Sequence, residues 1–461
     1  MKKATRTISG VTPVAVMAKP HPCPGNCVYC PSAAGAPRSY TEESPAVLRA
    51  AACGFDPHAQ VRMRLGTFRQ MGHPVDKVEL IVMGGTFLAY PVDYQYEFVK
   101  RCYDALNGVE SADLASARDL NESAPHRCVG LCVETRPDWC GEDEVARLLD
   151  FGATRVELGV QTLDERIHAL TGRRHGVAEV VAATSRLRRY GFKVFYHWMP
   201  GLPGSSPELD LALTERLFDE PQFQPDGLKL YPTLVVRGSE LETWYRDGRF
   251  VPQTTDELCD LLIRMKLMVP PYVRVARLMR DIPRKFIIAG CDDLALRETI
   301  HNLMLERGLQ CRCIRCREYG HRKRDGWTVG SPVLRRRDYD TADGREVFLS
   351  WEDERETLYA LLRLSLIDAT EAGTVSSVAT VRELHVYGPE VALGERDLSA
   401  PQHRGLGGAL VAEAERLAAS EGHASALRVL SGVGVRDYYR RFGYMRDGAY
   451  MSKRLDPPPL T

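Results

Sequence analysis

Three cysteines near the amino terminus are the residues best suited to chemistry. Cys23, Cys27 and Cys30 are spaced C-x3-C-x2-C, and the proline and glycine residues between and around them favour a tight loop over a helix or strand. A cluster of four irons normally takes four thiolates. A loop that supplies only three predicts an iron–sulfur cluster with one iron left open for a small ligand. A structural zinc site or a disulfide pair is the alternative that this spacing alone leaves open.

Enzymes that make radicals from S-adenosylmethionine (SAM) use such an open iron to bind SAM through its amino and carboxylate groups. Reduction of the cluster then cleaves SAM to a 5′-deoxyadenosyl radical. We therefore interpret the cysteine loop as the source of a radical. This interpretation depends on the missing fourth cysteine.

The loop must be positioned by the elements that follow it. Residues 11 to about 290 alternate short apolar strands with longer amphipathic helices, a pattern typical of βα units around a parallel sheet. Ligands bind at the carboxyl ends of such strands. The residues at these ends are Gly84, Gly85, Thr86, Glu134, Arg136, Gln161, Met199, Lys229 and Tyr231. Together they predict a ligand site at one edge of the sheet, although a turn or a surface charge also explains any one of them.

Length and composition narrow the class of protein. The chain has 461 residues, which predicts two or three domains. It has no run of about eighteen apolar residues, and its first residues lack the apolar core of a signal peptide, so we expect a cytoplasmic location. Its 13 cysteines are an odd number and unevenly clustered, which fits metal sites in a reducing compartment better than a disulfide framework.

The charge is balanced overall but unevenly distributed. Lys+Arg and Asp+Glu are both 61, yet from Cys311 to Arg337 there are nine basic residues against two acidic ones. Such a block can neutralise phosphates of a polyanion, and a solvated basic surface is the alternative. The basic residues that we expect at such a polyanion are Arg274, Arg277, Arg280, Arg284, Lys285, Arg322, Lys323 and Arg324.

A second group of thiols lies inside this basic block. Cys311, Cys313 and Cys316 fall within six residues. A closed structural zinc site needs four ligands, so one more must come from elsewhere, and His321 and Cys291 are the candidates. A weaker candidate for a further metal site is the set Cys128, Cys132 and Cys140; free cysteine is commonly a small buried hydrophobe.

The pattern changes from about residue 338. Strands at 346–351, 358–367 and 378–387 precede a glycine-rich turn, Gln402–Gly408, and an amphipathic helix from Ala409 to Ala419. Free backbone N–H groups and the positive end of the helix dipole suit a pyrophosphate at such a turn. With the trailing Tyr438 and Tyr439, this order predicts binding of acetyl-coenzyme A (acetyl-CoA).

These features together resemble the catalytic subunit of Elongator, the tRNA wobble-uridine acetyltransferase, over residues 14 to 455. The resemblance depends on the cysteine loop, Val82–Phe87, Glu134–Asp138, Leu228–Val235, Arg382–Gly388, the Gln402 loop and Gly432–Arg440. It implies an α/β protein with a radical SAM partial (βα) barrel in residues 1–290. A basic zinc-binding linker in 291–337 and a Gcn5-related N-acetyltransferase α/β domain in 338–461 would follow.

The resemblance also implies roles for individual residues. The [4Fe–4S] cluster is expected on Cys23, Cys27 and Cys30. SAM is expected at Gly84, Gly85, Thr86, Glu134, Arg136, Gln161 and Met199. Acetyl-CoA, or its path to the radical site, is expected at Lys77, Arg382, Glu383, Leu384, His385, Gln402, Gly405, Leu406 and Gly407. The expected catalytic residues are Lys229, Tyr438 and Tyr439.

The reaction that the resemblance implies joins both halves of the chain. The radical takes a hydrogen atom from the acetyl methyl group, the carbon radical adds to C5 of the wobble uridine, and hydrolysis leaves a carboxymethyl group. Tyr438 or Tyr439 would protonate the departing CoA thiolate. The expected partner is the tRNA anticodon loop; a homo-oligomer and protein partners stay open. A protein lysine acetyltransferase and a non-catalytic RNA-binding scaffold are the alternatives.

Overall fold

The computed structural model describes residues 10–371, 374–388 and 405–455, and for residues 368–371 and 374–377 it describes the backbone only. Two seven-stranded sheets account for most of the described strands. We call them the barrel sheet and the second sheet.

The barrel sheet is parallel, with strands β1-β2-β3-β4-β5-β6-β8 in that order. Its elements in chain order are β1 (Val11–Met17), α1 (Pro45–Ala52), α2 (Pro57–Gln70), β2 (Lys77–Met83), α3 (Val92–Asn107), α4 (Leu114–Asn121), β3 (Arg127–Thr135), α5 (Glu142–Asp150), β4 (Arg155–Gln161), α6 (Glu165–Leu170), α7 (Val177–Arg189), β5 (Lys193–Trp198), α8 (Pro207–Asp219), β6 (Gly227–Leu230), β7 (Val235–Val236), α9 (Glu240–Arg246), α10 (Thr255–Met268), β8 (Arg274–Arg277) and β9 (Ile287–Ala289). Strands β7 and β9 form a separate antiparallel pair.

Alternation along the barrel strands separates core from cavity. In β2 the buried Val78, Leu80 and Val82 belong to the main hydrophobic core, whereas Glu79 and Ile81 point to the opposite face. Strands β4 and β5 follow the same rule, because successive side chains of a strand point to opposite faces. The inner face of the sheet is therefore free to hold polar residues.

Short helices connect the two sheets: α11 (Leu296–Glu306), α12 (Ile314–Arg317) and α13 (Tyr319–Arg324). The second sheet and its helices are β10 (Val333–Thr341), β11 (Gly344–Glu352), β12 (Leu358–Glu371), β13 (Thr374–Val386), α14 (Leu406–Ser420), β14 (Ala426–Val429), α15 (Arg436–Arg440), β15 (Met445–Asp447) and β16 (Tyr450–Arg454). The strand order is β10-β11-β12-β13-β14-β16-β15, and only the β13–β14 pairing is parallel. Helix α14 packs its apolar side into a second core.

The second sheet packs directly on the barrel. A side chain on Gly432 would overlap the carbonyl of Val129, and one on Gly434 would overlap Arg127, so both glycines permit close contact with β3. The Gly-Val-Gly motif near the carboxyl terminus therefore has a packing role between the two sheets.

Several element boundaries differ from those predicted. Strand β10 was not predicted, and it begins at Val333, inside the expected linker. The helix after the glycine-rich turn begins at Leu406 rather than at Ala409, and the first strand spans Val11–Met17 rather than Pro13–Lys19. No helix in the described part of the chain is long and apolar enough to cross a membrane.

Candidate active site

One cavity of about 520 Å³ extends from the cysteine loop, along the inner face of the barrel sheet, to β13 of the second sheet. This volume falls within the range of about 300–1,000 Å³ that is usual for small-molecule and cofactor sites. Residues expected to bind SAM and residues expected to bind acetyl-CoA line the same space. The two halves of the chain therefore share one enclosed site.

The cysteine loop forms the upper end of the cavity. Backbone bonds anchor it, since Val28 N–H donates to Thr171 (3.1 Å) and Leu241 N–H donates to Val28 (2.8 Å). Sγ of Cys23 lies 3.8 Å from Oγ1 of Thr86. A hydrogen bond from Cys30 and the charge of Arg173 hold the pKa of Cys27 well below its ordinary range, although burial opposes them. Cys27 is thus the thiol that ionises first, because its hydrogen bond with Cys30 and burial raise the pKa of Cys30.

The two thiol groups differ in how closely their sulfurs lie. In the described residues, Cys311, Cys313 and Cys316 have sulfurs within 4.8 Å of one another, whereas the three sulfurs of the cysteine loop are not all so close. A tetrahedral ion with bonds of about 2.3 Å to sulfur needs ligands about 3.8 Å apart, while in a cluster each thiolate binds a different iron.

The predicted strand-end residues converge beside the loop. Gly85, Thr86, Glu134, Arg136, Gln161 and Met199 all line the cavity together with the three cysteines. Gly84 lies just behind them, with φ +145° and Ala18 Cβ 3.0 Å from where its own Cβ would be. Both glycines of this pair have positive φ, and glycine adopts that conformation at no steric cost.

Two buried polar atoms at this end have no partner. Nη1 of Arg136 and Oε1 of Gln161 make no hydrogen bond within the described structure. The first is a charged donor and the second an acceptor, and Gln161 is held at φ +72°, which is uncommon for a residue other than glycine. A ligand with a carboxylate and an amino group, such as SAM, fits this pair and the cysteine loop.

A buried ionic cluster occupies the middle of the cavity. Nζ of Lys229 lies 3.1 Å from Glu134 Oε1 and also pairs with Glu157, while Nε2 of His197 lies 3.1 Å from Glu157 Oε2. Burial would lower the pKa of Lys229, but Glu157 and Glu134 outweigh it and raise the pKa well above its usual value. Glu134, Glu157 and His197 are close enough to hold a metal. The ammonium of Lys229 and the guanidinium of Arg155, 3.4 Å from Glu157, already balance the two carboxylates, so we assign this group no metal.

Strand β13 and the linker helices form the floor of the cavity. Glu383, His385 and Tyr387 point into it, as do Glu318 and His321. The rings of His385 and Tyr387 lie 4.2 Å apart. Burial lowers the pKa of His385, so its imidazole is neutral near pH 7. Two of the residues predicted at acetyl-CoA, Glu383 and His385, thus line the same cavity as the residues predicted at SAM.

Leu384 faces away from the cavity, and Arg382 lies at an irregularity of β13, where the register with β12 shifts between Arg363 and Leu364. The guanidinium of Arg382 is fully buried and pairs with Asp226 (2.7 Å) and Glu346 (2.8 Å). Leu384 packs against the second core. The Arg382 side chain therefore joins the two sheets, and its expected place at acetyl-CoA or on its path to the radical site stays a prediction.

The start of α14 lies beside the end of β13. Strands β13 and β14 pair at Ala379–Val381, and β14 ends at Val429. Gly407, at the start of α14, packs closely here: a methyl group there would overlap Tyr438 Oη and lie 3.3 Å from Val386. Gly405 precedes the helix with φ +72°, and no side chain caps it. Exposed backbone amides at the start of α14 suit a pyrophosphate.

The two tyrosines differ in environment. Tyr438 is half-buried beside Gly407, whereas Tyr439 is 5% exposed and packs in the second core near Tyr444. Tyr438 is therefore the one placed to reach a thiolate, and Tyr439 has a packing role. Lys77 lies at the amino end of β2, on the same face as Glu79. Gln402 lies outside the described residues.

The second thiol group is compact, but neither candidate fourth ligand joins it. His321 lines the cavity and lies 3.4 Å from Glu318, because α13 turns it away from the thiols. Cys291 lies near Cys259 instead. The ammonium of the buried Lys266 acts on Cys313 and Cys316. In the described residues neither candidate is close to the three thiols, and the fourth ligand stays unassigned.

Cys128, Cys132 and Cys140 form no metal-binding group in the part of the chain that the structure describes. All three are buried. Burial raises the pKa of both Cys128 and Cys140 to about 12, so they are neutral thiols within the barrel core. This agrees with the alternative that they are small hydrophobes.

The predicted tRNA-binding residues divide by exposure. Arg277, Arg284, Lys285, Lys323 and Arg324 are exposed. Arg274 pairs with Glu318 at 2.6 Å and, with Arg280, lines the cavity. Arg322 is 3% exposed and lies over the Trp327 ring at 3.8 Å. The Arg322 guanidinium therefore packs on Trp327, and its expected role in tRNA binding stays a prediction.

Other site residues were not predicted. Glu157 lies on the inner face of β4, and His197 lies on the inner face of β5. Glu157 could have been predicted, because it is four residues before Gln161 on the same strand and so shares its face. Tyr40 donates to Glu134 at 3.0 Å. The segment from Thr171 to His175 packs against the cysteine loop, and no motif indicated it. These contacts join parts of the chain more than 90 residues apart.

Comparison with known proteins agrees with this geometry. The radical SAM superfamily matches residues 21–213, and the radical SAM C-terminal domain matches 225–306. A "tRNA uridine(34) acetyltransferase" of Dehalococcoides mccartyi is 57% identical over 460 residues, which is 99% of this chain and 100% of that protein. "Elongator complex protein 3" of Homo sapiens is 42% identical, covering 98% of this chain and 86% of that protein.

A solved structure is also similar throughout. The archaeal Methanocaldococcus infernus Elp3 with an N-terminal deletion superposes with a TM-score of 0.86 at 42% identity, covering 97% of this chain and all of that one. The predicted α/β fold, with a radical SAM partial barrel, is confirmed by this match and by the matching families.

Proposed function

Because the chain belongs to the family of tRNA uridine(34) acetyltransferases, which includes Elongator complex protein 3, we propose that it places a carboxymethyl group on C5 of the tRNA wobble uridine. SAM and acetyl-CoA would be its two small substrates. The single cavity between the cysteine loop and β13 supports this proposal most directly. We also propose that the protein acts in the cytoplasm.

A radical SAM enzyme has a [4Fe–4S] cluster and SAM, and the residues at the upper end fit both. Cys23, Cys27 and Cys30 would hold the cluster, and the unpartnered Arg136 and Gln161 atoms would bind the amino acid part of SAM. When bound and reduced, the cluster and SAM together supply a 5′-deoxyadenosyl radical that abstracts hydrogen from a C–H bond.

The chain's own residues would prepare the acyl substrate. The α14 amides and Gly407 would bind the pyrophosphate of acetyl-CoA, and the end of β13 would direct the acetyl group to the floor of the cavity. Burial raises the pKa of Tyr438, so its hydroxyl is protonated near pH 7 and can donate to the CoA thiolate. Lys229 and Glu157 would hold the uracil ring between the two ends. The Cys311 group would hold a structural zinc ion.

Nucleoside mass spectrometry tests the proposal. Reconstituted protein is incubated anaerobically with tRNA, a reductant, SAM and acetyl-CoA, and each small substrate is omitted in turn. We expect carboxymethyluridine only in the complete mixture, and none with Cys27→Ala. Product without SAM would contradict the radical route. Acetylated peptide without SAM would favour a lysine acetyltransferase, and tRNA binding without any product would favour a scaffold.

A further inference from the structure

Arg173, in the loop between α6 and α7, makes an unusual contact with the cysteine loop. Its Nη1 lies 3.6 Å from Cys27 Sγ and 3.3 Å from the hydroxyl of Tyr29. Its Nη2 donates to the carbonyl of Gly159 and lies 3.4 Å from both ring nitrogens of His175. The guanidinium is therefore held by the end of β4 and one histidine, with one nitrogen directed at a cysteine sulfur.

The surrounding contacts keep Arg173 in this place. Gly172 has φ +72°, and a methyl group there would lie 2.7 Å from the carbonyl of Asn26, so the two loops are in direct backbone contact. His175 lies 3.6 Å from Asp138, and Asp138 pairs with Arg136 at 2.7 Å. The position of the guanidinium thus depends on packed backbone and on an anchored imidazole.

Within the described residues no carboxylate pairs with Arg173, since its hydrogen-bond partners are a thiol, a phenol, a carbonyl and an imidazole. A cation in a cavity wall is costly without an anion nearby. The anion nearest to the guanidinium is the Cys27 thiolate, and the cluster that this thiolate would hold and the carboxylate of SAM are the anions expected beside it. Each electron added to an iron–sulfur cluster adds one negative charge, which a fixed positive charge stabilises, and hydrogen bonds to cluster sulfurs help set reduction potentials.

We propose that Arg173 is a positioning residue for the cluster, which orients Cys27 and makes the cluster easier to reduce by donating to its sulfur and balancing its charge. This inference rests on the proposed placement of the cluster on Cys23, Cys27 and Cys30. The two can fail separately: iron bound normally by Cys27→Ala would overturn the placement, whereas the role of Arg173 is tested by a potential.

The experiment is a redox titration of anaerobically reconstituted protein, followed by electron paramagnetic resonance of the reduced cluster and by iron analysis. Arg173→Gln removes the charge but keeps a donor, and Arg173→Lys keeps the charge without the forked geometry. Arg174→Gln is the matched control, because Arg174 is the adjacent arginine and is exposed.

We expect Arg173→Gln to bind iron, with an equilibrium constant for one-electron reduction at least tenfold lower, a negative shift of about 59 mV. The reduction potential of Arg173→Lys is expected to shift in the same direction by a smaller amount. The potential of Arg174→Gln is expected to equal that of the wild type. If Arg173→Gln does not bind iron, the reduction potential of Arg173→Lys tests the proposal instead. Potentials equal to that of the wild type would overturn the proposal. Failure of both variants to bind iron would also overturn it, because Arg173 would then be needed only to fold the loop.

Discussion

Asp226 and Arg382 form a buried ion pair that joins the two sheets, with both guanidinium nitrogens 2.7 Å from the carboxylate and neither side chain exposed. Asp226 lies just before β6, and Arg382 lies on β13. The pair therefore fixes β13 against the barrel and places Glu383 and His385 over the floor of the cavity.

The pair makes stability depend on pH. Burial would raise the pKa of Asp226, but Arg382 and Arg363 outweigh it and hold the pKa well below its usual value. This contribution is complete above the unfolded pKa of about 3.9 and is lost as pH falls towards the lower folded value. Asp226→Asn is expected to lower the free energy of unfolding by about 3–5 kcal/mol at pH 7. In denaturant titrations, the difference in free energy of unfolding between Asp226→Asn and the wild type should become smaller below about pH 4.

Glu413→Gln is the matched control, because Glu413 pairs with Arg416 on the surface. A surface pair contributes at most about 1 kcal/mol. A loss in Asp226→Asn no larger than that of the control would mean that the buried pair does not join the sheets as the geometry indicates.

Lys229 is expected to be needed for reaction beyond its effect on stability. Lys229→Met leaves Glu134 and Glu157 without their shared cation, so the protein should unfold at lower temperature and the pKa of Glu157 should rise. Lys229→Met/Glu157→Gln removes both charges and should recover thermal stability. We expect both variants to lose carboxymethyluridine formation by about 100-fold, because substrate positioning is lost. An active double variant would mean that Lys229 only neutralises Glu157.

Gly407 should be essential for acetyl-CoA because a methyl group there would overlap the Tyr438 hydroxyl. Gly407→Ala is expected to weaken acetyl-CoA binding at least tenfold by calorimetry. Gly407→Ala/Tyr438→Phe removes the overlapping oxygen and should recover most of the affinity. Gly408→Ala is the control, since its nearest neighbours are ring atoms of Phe442 at 3.3 Å. Equal losses for Gly407→Ala and Gly408→Ala would place the pyrophosphate elsewhere.

Local patterns predicted the upper end of the site well. The spacing of Cys23, Cys27 and Cys30 and the polar ends of the strands depend on short-range chemistry and on a period of two, and Gln161 and Met199 do lie beside the cysteine loop. The parallel sheet of βα units followed from the same patterns, whereas the partial barrel was implied by the resemblance. The same period does not place Arg382 and His385, because the register between β12 and β13 shifts next to Arg382.

Other features depend on contacts that no local pattern records. Arg173 meets Cys27 across 146 positions, and its sequence neighbourhood contains only an ordinary basic pair. Strand β10 carries Arg335, Arg336 and Arg337 at an exposed sheet edge, so its polarity resembled a linker. His321 is turned into the cavity by a helix of six residues, which sequence spacing to Cys316 could not reveal.

The two thiol groups are expected to bind different metals independently. Cys313→Ser should abolish zinc and leave iron unchanged, whereas Cys27→Ala should do the reverse, as measured by elemental analysis of reconstituted protein. Removing zinc with a chelator should also reduce modification of tRNA. The reason is that α12 and α13 follow these thiols and place Glu318 and His321 in the cavity floor. Loss of both metals in Cys313→Ser would contradict independent sites.

The exposed and the buried members of the basic block should affect tRNA differently. Lys323 is exposed, whereas Arg322 is packed on Trp327. Each phosphate contact contributes about 0.7–0.9 to the slope of log affinity against log salt. Lys323→Ala is therefore expected to reduce the slope by about 0.7–0.9 without changing thermal stability. Arg322→Ala should lower thermal stability and leave the slope unchanged, since its charge does not reach solvent. Equal reductions in slope for both would mean that Arg322 leaves Trp327 when tRNA binds.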